Sequence, residues 1–284
     1  MRKLLAILFA VAVLVVLAVA AVKLSGRRAA KQGPSKMTAA AASDSAKSAA
    51  RRAVVVELFT SEGCSSCPPA DALLSRLEQT QPVEGAEVIP LAMHVDYWNN
   101  LGWADPFSSP QFSERQGEYA EAFGKNGVYT PQMVVDGVEE FAGNSEDAAL
   151  EALNNAARVP KAEVLLARTP TQTGEAAGIS VRIDKFPKQT DGDPVYVLLA
   201  VTESGLSSDV ERGENTGRRL THVGVVRVLK QLGVVPDTRG GAFKAETLVP
   251  FEKGWRRENL RAVVFAQERG TRRVLAAGSL KLFG

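Results

Sequence analysis

Cysteine and histidine are scarce in this 284-residue chain: it has two of each, Cys64 and Cys67, His94 and His222. Two cysteines exclude a disulfide-stapled scaffold and a four-cysteine zinc site. No Ser-His-Asp grammar and no phosphate-binding loop accompany the histidines, and His222 has no nucleophile near it in sequence. Aromatic residues reach only 6%, while apolar residues make up 45%, enough for a packed core. Collagen-like bias, coiled-coil bias and internal repeats are absent. Length admits one large domain or two ordinary ones.

Charge is close to balanced, 34 Lys and Arg against 32 Asp and Glu, but the balance hides a division. Residues 1–52 hold ten basic side chains and one acidic one, Asp44, a surplus of +9. Residues 53–284 hold 24 basic and 31 acidic side chains, a net charge of −7. A body of that sign is a poor binder of phosphate backbones, so nucleic acid is not an expected partner.

The basic start Met1-Arg2-Lys3 is followed by nineteen residues without a polar side chain, Leu4 to Val22. As a helix this run is ~28 Å long, close to the hydrocarbon thickness of a bilayer. Two readings of residues 1–23 stand: a retained membrane anchor, which the length fits, and a cleaved signal peptide, for which Ala18-Val19-Ala20 is a small-residue site. Lys23, Arg27, Arg28, Lys31 and Lys36 outnumber the basic residues before the span. The positive-inside rule would hold the rest of the chain in the cytoplasm. The redox chemistry below argues for export, and export to the periplasm is the expectation. Residues 24–52, rich in Ala, Ser, Lys, Gly and Arg, read as a flexible linker.

Val54-Val55-Val56-Glu57-Leu58-Phe59 reads as a buried strand. A turn, Thr60-Ser61-Glu62-Gly63, leads into Cys64-Ser65-Ser66-Cys67-Pro68-Pro69-Ala70-Asp71, and Leu73, Leu74 and Leu77 follow at helical spacing. Prolines in the first turn of a helix cost least, which places Cys64 at a helix N-terminus. Free N–H groups and the helix dipole there favour a thiolate. Cys67, three residues on, is within reach, and the spacing allows a reversible disulfide. A structural bridge across so short a loop would constrain the unfolded chain little. A metal site would need further ligands, of which the histidines are candidates.

Residues 87–96 read as a second strand, 108–123 as a largely helical stretch, and Gln132 to Glu139 as strand, Asp136-Gly137 hairpin and strand. A last helix runs from Ala148 to about Arg158. His94 and Asp96 alternate and share a strand face. Asp96, near the start of the redox helix, is a candidate proton relay, with a turn or cap as the alternative. Trp98 and Trp103 flank a loop and form either a substrate-facing rim or packing. Glu62, beside Cys64, would raise the thiol pKa if its carboxylate were close, but it is expected to face solvent.

The order strand, CxxC, helix, strand, then Gly127-Val128-Tyr129-Thr130-Pro131 into a hairpin and a final helix, resembles the thioredoxin-like superfamily over about residues 53–158. The phrase Glu57-Leu58-Phe59-Thr60-Ser61-Glu62-Gly63-Cys64-Ser65-Ser66-Cys67-Pro68-Pro69-Ala70-Asp71 is similar to a group of exported bacterial proteins of unassigned function, as are the His94-Val95-Asp96-Tyr97-Trp98 segment and a β-rich second half. The resemblance implies that Cys64 is the attacking thiol, that Cys67 resolves the mixed disulfide, and that Thr130-Pro131 is a cis-proline turn facing the pair and binding substrate. Gly63 stands where thioredoxin has tryptophan, and Ser65-Ser66 where it has Gly-Pro. Either serine hydroxyl is placed to hydrogen-bond a thiolate.

From Ala162 the pattern becomes strand-like in seven runs with intervening turns, which suggests a sandwich. The polar segment 210–222 reads as a solvated charged hairpin, or as a loop approaching the redox face. The expected fold class is an α/β thioredoxin-like domain, residues 53–160, followed by an all-β sandwich-like domain, residues 161–284. The expected activity is thiol–disulfide exchange on protein or peptide substrates, with no cofactor and no metal. A separate redox partner is needed, because the chain has no other thiol, and membrane contact runs through the N-terminal segment if it is not cleaved. The alternative is a binding module: a copper carrier using Cys64, Cys67 and one histidine, or a non-catalytic adaptor.

Overall fold

The computed structural model describes residues 51–172 and 174–283. The expected anchor or signal peptide and nearly all of the expected linker lie outside them. Among the described residues no helix is long and apolar enough to cross a membrane.

In chain order the elements are β1 (Arg52–Thr60), α1 (Pro68–Thr80), β2 (Ala86–His94), a short 3-10 turn (Asn99–Leu101), α2 (Pro110–Ala122), β3 (Gln132–Val135), β4 (Glu139–Ala142) and α3 (Glu146–Ala156). Then follow β5 (Glu163–Thr169), β6 (Ala176–Asp184), β7 (Val195–Glu203), β8 (Leu206–Asp209), β9 (Arg219–His222), β10 (Val225–Val235), β11 (Phe243–Pro250), β12 (Leu260–Glu268) and β13 (Val274–Lys281).

β1 is apolar on both faces because both faces are covered. Val54, Val56 and Leu58 pack with Leu73, Leu74 and Leu77 of α1 and with Ala149 and Leu153 of α3. Val55 and Phe59 point the other way, toward Phe112 and Tyr119 of α2. Glu57 shares that second face and is fully buried. Arg115 of α2 donates to its two oxygens from Nε and Nη2, at 2.6 and 2.9 Å, and the Tyr119 hydroxyl also donates to it. Burial and the Glu57 carboxylate together raise the Tyr119 hydroxyl far above its ordinary pKa.

β1 pairs in parallel with β2 and antiparallel with β3, setting Phe59 opposite Gln132. The β3–β4 hairpin turns at Asp136 and Gly137, whose φ angles of 49° and 70° are both left-handed, and the Val138 N–H donates across them to the Val135 carbonyl at 3.0 Å. A side chain at Gly137 would also collide with the Arg272 carbonyl oxygen, 1.8 Å from an ideal Cβ.

The architecture overturns the expected fold class. A thioredoxin-like α/β domain followed by a separate β-sandwich is not what forms. The described residues belong to one compact unit. Their main feature is a single mixed eight-stranded sheet in the order β13-β12-β7-β10-β2-β1-β3-β4, with a three-stranded sheet β11-β6-β5 and a small ribbon β8-β9. The protein is mostly β, with three α-helices among the described residues. The two halves meet where β10 lies alongside β2, with Val225 opposite Ala92. The Ala92 N–H donates to the Gly224 carbonyl at 2.8 Å. The physical reason is that β2 is an interior strand: its side chains are buried along nearly its whole length. Its second edge needs a hydrogen-bonding neighbour, and the second half supplies it. The three-stranded sheet does cover part of the second half, with Ile179, Val181 and Ile183 meeting Val197, Leu199 and Leu260. The layer beneath it is the shared sheet.

Candidate functional site

β1 ends at Thr60, and Ser61-Glu62-Gly63 carries the chain over the end of the sheet to Cys64. Cys64 and Cys67 form a disulfide with a Cα–Cα distance of 5.4 Å. The turn is tightened by the Cys64 N–H donating to the Ser61 carbonyl and the Cys67 N–H donating to the Cys64 carbonyl, each at 3.2 Å. Cys67, not Cys64, holds the N-cap position of α1, and Pro68 opens the helix. The Cys67 carbonyl accepts from the N–H groups of Ala70 and Asp71. Both cysteines are fully buried, while Ser65 and Ser66 between them are exposed. The Ser66 hydroxyl lies 3.3 Å from Cys64 Sγ.

The structure brings most of the expected site residues together. The Thr130–Pro131 peptide bond is cis. Pro131 lies beside the start of α1: a Cβ placed on Gly143 would meet both Pro131 and Ala70 at 3.1 Å. The Trp98 indole N–H donates to Thr130 Oγ1 at 2.8 Å. The Trp98 Cβ lies 3.2 Å from where a Cβ on Gly63 would be. Trp98 thus bridges the turn before Cys64 and the Thr130-Pro131 segment, and the glycine leaves room for it. Asp96 goes elsewhere. It is half-buried, its Oδ1 accepts from the Ser113 hydroxyl of α2 at 2.5 Å, and its N–H donates to the same hydroxyl at 3.1 Å. Its partner is thus a side chain of α2, whose N-cap position Ser109 holds.

Under the turn lies a buried polar cluster whose members sequence reasoning mostly set aside. Glu62 is not solvent-facing; it is fully buried. Its Oε2 accepts from the Trp103 indole at 2.8 Å, and its Oε1 is 3.0 Å from His222 Nε2. Asp71 of α1 stands on the other side of the His222 ring, with Oδ1 3.8 Å from Nδ1. That separation suits an ion pair but exceeds a hydrogen bond, and Nδ1 has no closer partner. Asp71 also accepts from the Thr60 hydroxyl at 3.1 Å. His94 Nδ1 is 2.7 Å from Asp105 Oδ2, and that oxygen also accepts from the Glu62 N–H at 2.8 Å. The rings of His94 and His222 meet edge to face, 4.8 Å between centroids, and Phe107 closes against both.

Burial opposes charge on His222, but the Asp71 and Glu62 carboxylates outweigh it and hold the imidazolium up to about 9. Asp105 shows the mirror case. Burial opposes its ionisation, yet His94 and the N–H groups of Glu62 and Phe107 keep its carboxyl below the ordinary range. His222 therefore carries a proton at neutral pH between two carboxylates.

The segment 210–222 is half of what its charges suggest. Glu211, Arg212, Arg218 and Arg219 are exposed, but Asn215 and His222 are buried. Asn215 Nδ2 donates to the carbonyls of Glu62 and Cys64, at 2.8 and 2.9 Å. Glu214 Oε2 accepts from the Ser65 N–H at 2.9 Å. Gly213, at φ 79°, lets this strap press on the Gly102-Trp103 backbone: a Cβ there would lie 3.2 Å from Trp103 Cβ. The β-rich half thus closes over the cysteine turn. Of the two readings of this segment, a solvated hairpin and a loop approaching the redox face, the buried Asn215 and His222 belong to the second. Among the described residues no group of three or more His, Cys, Asp or Glu side chains is arranged to hold a metal ion.

A family model described as "Protein of unknown function (DUF1223)" matches residues 55–267. No curated protein matches the chain. Among solved structures, a crystal structure of a protein from Agrobacterium tumefaciens is similar to it at 27% identity and a TM-score of 0.58, over 81% of this chain and 94% of its own. An alkylpurine DNA glycosylase from Pseudomonas fluorescens (16% identity, 48% of this chain, 33% of its own, TM-score 0.23) and a beta-glucuronidase from Bacteroides uniformis (15%, 41%, 12%, 0.23) overlap too loosely to bear on fold or chemistry.

Proposed function

The chain belongs to that family of unknown function, and from this premise we propose that it is an exported thiol–disulfide oxidoreductase acting on protein or peptide substrates through Cys64 and Cys67. The observation that carries the reading is the disulfide between two cysteines three apart, set against the N-terminus of α1 and flanked by Trp98, Thr130 and Pro131. Such a bridge contributes little to holding a fold, so its chemistry is the better reason for it. The local likeness to thioredoxin-like sites, in the CxxC and the Thr130-Pro131 segment, supports the same roles.

In the reduced pair, the Cys64 thiolate attacks a substrate disulfide, forms a mixed disulfide and frees one substrate thiolate. Cys67 then attacks Cys64 Sγ, displaces the second substrate sulfur and restores the internal disulfide. Two electrons pass from the pair to the substrate, and a separate dithiol protein must return them. The reverse sequence oxidises a substrate dithiol. Because both cysteines are buried, either direction requires the turn or the 213–216 strap to move. The same burial favours a second reading, a non-catalytic adaptor whose disulfide is inert. Export, into the periplasm or anchored facing it, rests on the apolar run at residues 4–22 and on an oxidised pair that suits an oxidising compartment.

The test is equilibration of the purified chain in glutathione buffers of graded redox ratio, with alkylation and mass measurement. The oxidoreductase reading expects complete, reversible conversion between the disulfide and two free thiols within minutes to hours, and a trapped mixed disulfide with a model peptide in Cys67→Ser. A pair that stays oxidised in the folded protein at every ratio supports the adaptor instead.

A further inference from the structure

His222 joins the cysteine turn to the β-rich half, and nothing in the exchange steps above uses it. Its Nε2 meets Glu62, two residues before Cys64, at 3.0 Å. Its Nδ1 faces Asp71, four residues after Cys67, at 3.8 Å. Residues four apart on a helix lie on one face, one turn apart, and Cys67 and Asp71 are both buried there. The imidazole therefore spans the buried side of the turn, from one end of the CxxC segment to the other. Its other neighbours are the His94 ring, itself tied to Asp105, and Phe107, over which the Arg227 guanidinium lies 5.7 Å from the ring centroid. Arg227 is engaged by Glu203 at 3.6 Å. So Glu62, Asp71 and Asp105 supply negative charge around His222, with His94 beside it. A buried ion cluster of this kind is a weak source of stability, because desolvation offsets most of the attraction. Its placement against a redox pair gives it another use.

We propose that His222 is the proton-holding residue of the Cys64–Cys67 pair, lending a proton from the Glu62–His222–Asp71 cluster when the disulfide is reduced and taking it back when the disulfide reforms. The inference rests on the oxidoreductase reading. A substrate thiolate attacks Cys64 Sγ, the bond to Cys67 breaks, and its electron pair stays on Cys67 as a thiolate. In a buried site with carboxylates nearby, that thiolate is costly. It takes the proton held by the cluster and becomes a thiol. A second substrate thiolate then attacks the substrate sulfur of the mixed disulfide and frees Cys64 as a thiolate. The two protons lost by the substrate thiols go to solvent, with which Cys64 equilibrates, and the cluster takes its own proton back from Cys67 when the disulfide reforms. Two electrons have moved from substrate to pair. The cluster and the cysteines then titrate as one coupled system. His222 holding its proton well above the ordinary imidazole range in the oxidised state agrees with this role.

The chain has only two histidines, so histidine-selective NMR of the full wild-type chain gives two ring signals, separated by comparison with His94→Gln. The experiment titrates both from pH 5 to 10, once oxidised and once reduced with excess dithiothreitol, and needs no His222 variant to fold. The expected result is a threefold or larger change in the proton affinity of His222 between the two redox states. A companion measurement follows reduction by dithiothreitol against pH: His222→Gln should remove an inflection present in the wild type, and a lost imidazole that mattered only for packing would leave the inflection in place. If the pair exchanges with glutathione but His222 titrates alike in both states, the inference is overturned and the oxidoreductase reading survives. If the pair does not exchange at all, both fall.

Discussion

Asn215→Ala removes the clasp between the strap and the cysteine turn. Asn215 is buried, and its Nδ2 satisfies two buried carbonyls, those of Glu62 and Cys64, while its Oδ1 accepts from Arg218 at 2.9 Å. Each hydrogen bond contributes about 1 kcal/mol net, and leaving a buried partner unsatisfied costs about 1–3 kcal/mol. Water entering the vacated space restores part of this for the carbonyls. The expected loss is about 2–4 kcal/mol, concentrated where the strap meets residues 62–64. Both cysteines are buried, so reduction by a small thiol proceeds from locally opened states. Stabilising the closed state less by about 2–4 kcal/mol raises the open population roughly 30- to 1,000-fold, at about 1.4 kcal/mol per tenfold. The assay is the second-order rate of disulfide reduction by dithiothreitol under native conditions, read by alkylation and mass, alongside urea unfolding of the oxidised protein. The variant should be reduced at least tenfold faster while remaining folded. A rate within twofold of wild type, with the stability loss present, would refute the idea that this strap controls access.

Two further outcomes follow from the buried charges. Arg115→Met leaves Glu57 buried with its guanidinium partner gone, which should cost about 3–5 kcal/mol in urea unfolding, while adding Glu57→Leu should recover most of it; a single-variant loss below about 1 kcal/mol would contradict the pairing. For pH, His222 is raised from 6.5 to about 9 on folding, so the folded state binds that proton more tightly than the unfolded chain. Its contribution is fully present below about pH 6.5 and is lost as pH rises through about 9. Asp105 is shifted the other way, and its contribution, present above pH 3.8, is lost as pH falls through its lowered folded value. The urea midpoint should therefore fall between pH 6.5 and 9.5, and His222→Gln should flatten that limb; an equal slope in the variant would count against the assignment.

What was legible in the sequence is what neighbours along the chain decide. The β-branched run of β1, the start of α1 at two prolines behind a CxxC, the Asp136-Gly137 turn and most strands of the second half follow from alternation, helix-end chemistry and left-handed turn residues, all set within a few positions. The resemblance alone points the Thr130-Pro131 segment at the cysteine helix, and Pro131 does lie beside its first turn, while Trp98, a rim or packing residue by its loop position, joins that segment to Gly63. Position near the start of the redox helix makes Asp96 a candidate relay or a turn residue, and only the fold supplies its partner, Ser113 of α2.

Tertiary structure alone decided the rest. The pattern of β2 is the same for an edge or an interior strand, so the joining of both halves into one sheet depended on β10 arriving at Ala92. Glu62 reads as a surface residue until Trp103 and His222, the latter 160 positions away, supply partners that let a carboxylate be buried. His222 reads as isolated until β9 carries it beneath the turn. Local sequence fixes backbone conformation because its forces act over one helical turn or strand pair. Burial of charge is set by whichever distant groups fold against it, so the sequence determined where the two sulfurs stand, and only the closed fold determined the charges that surround them.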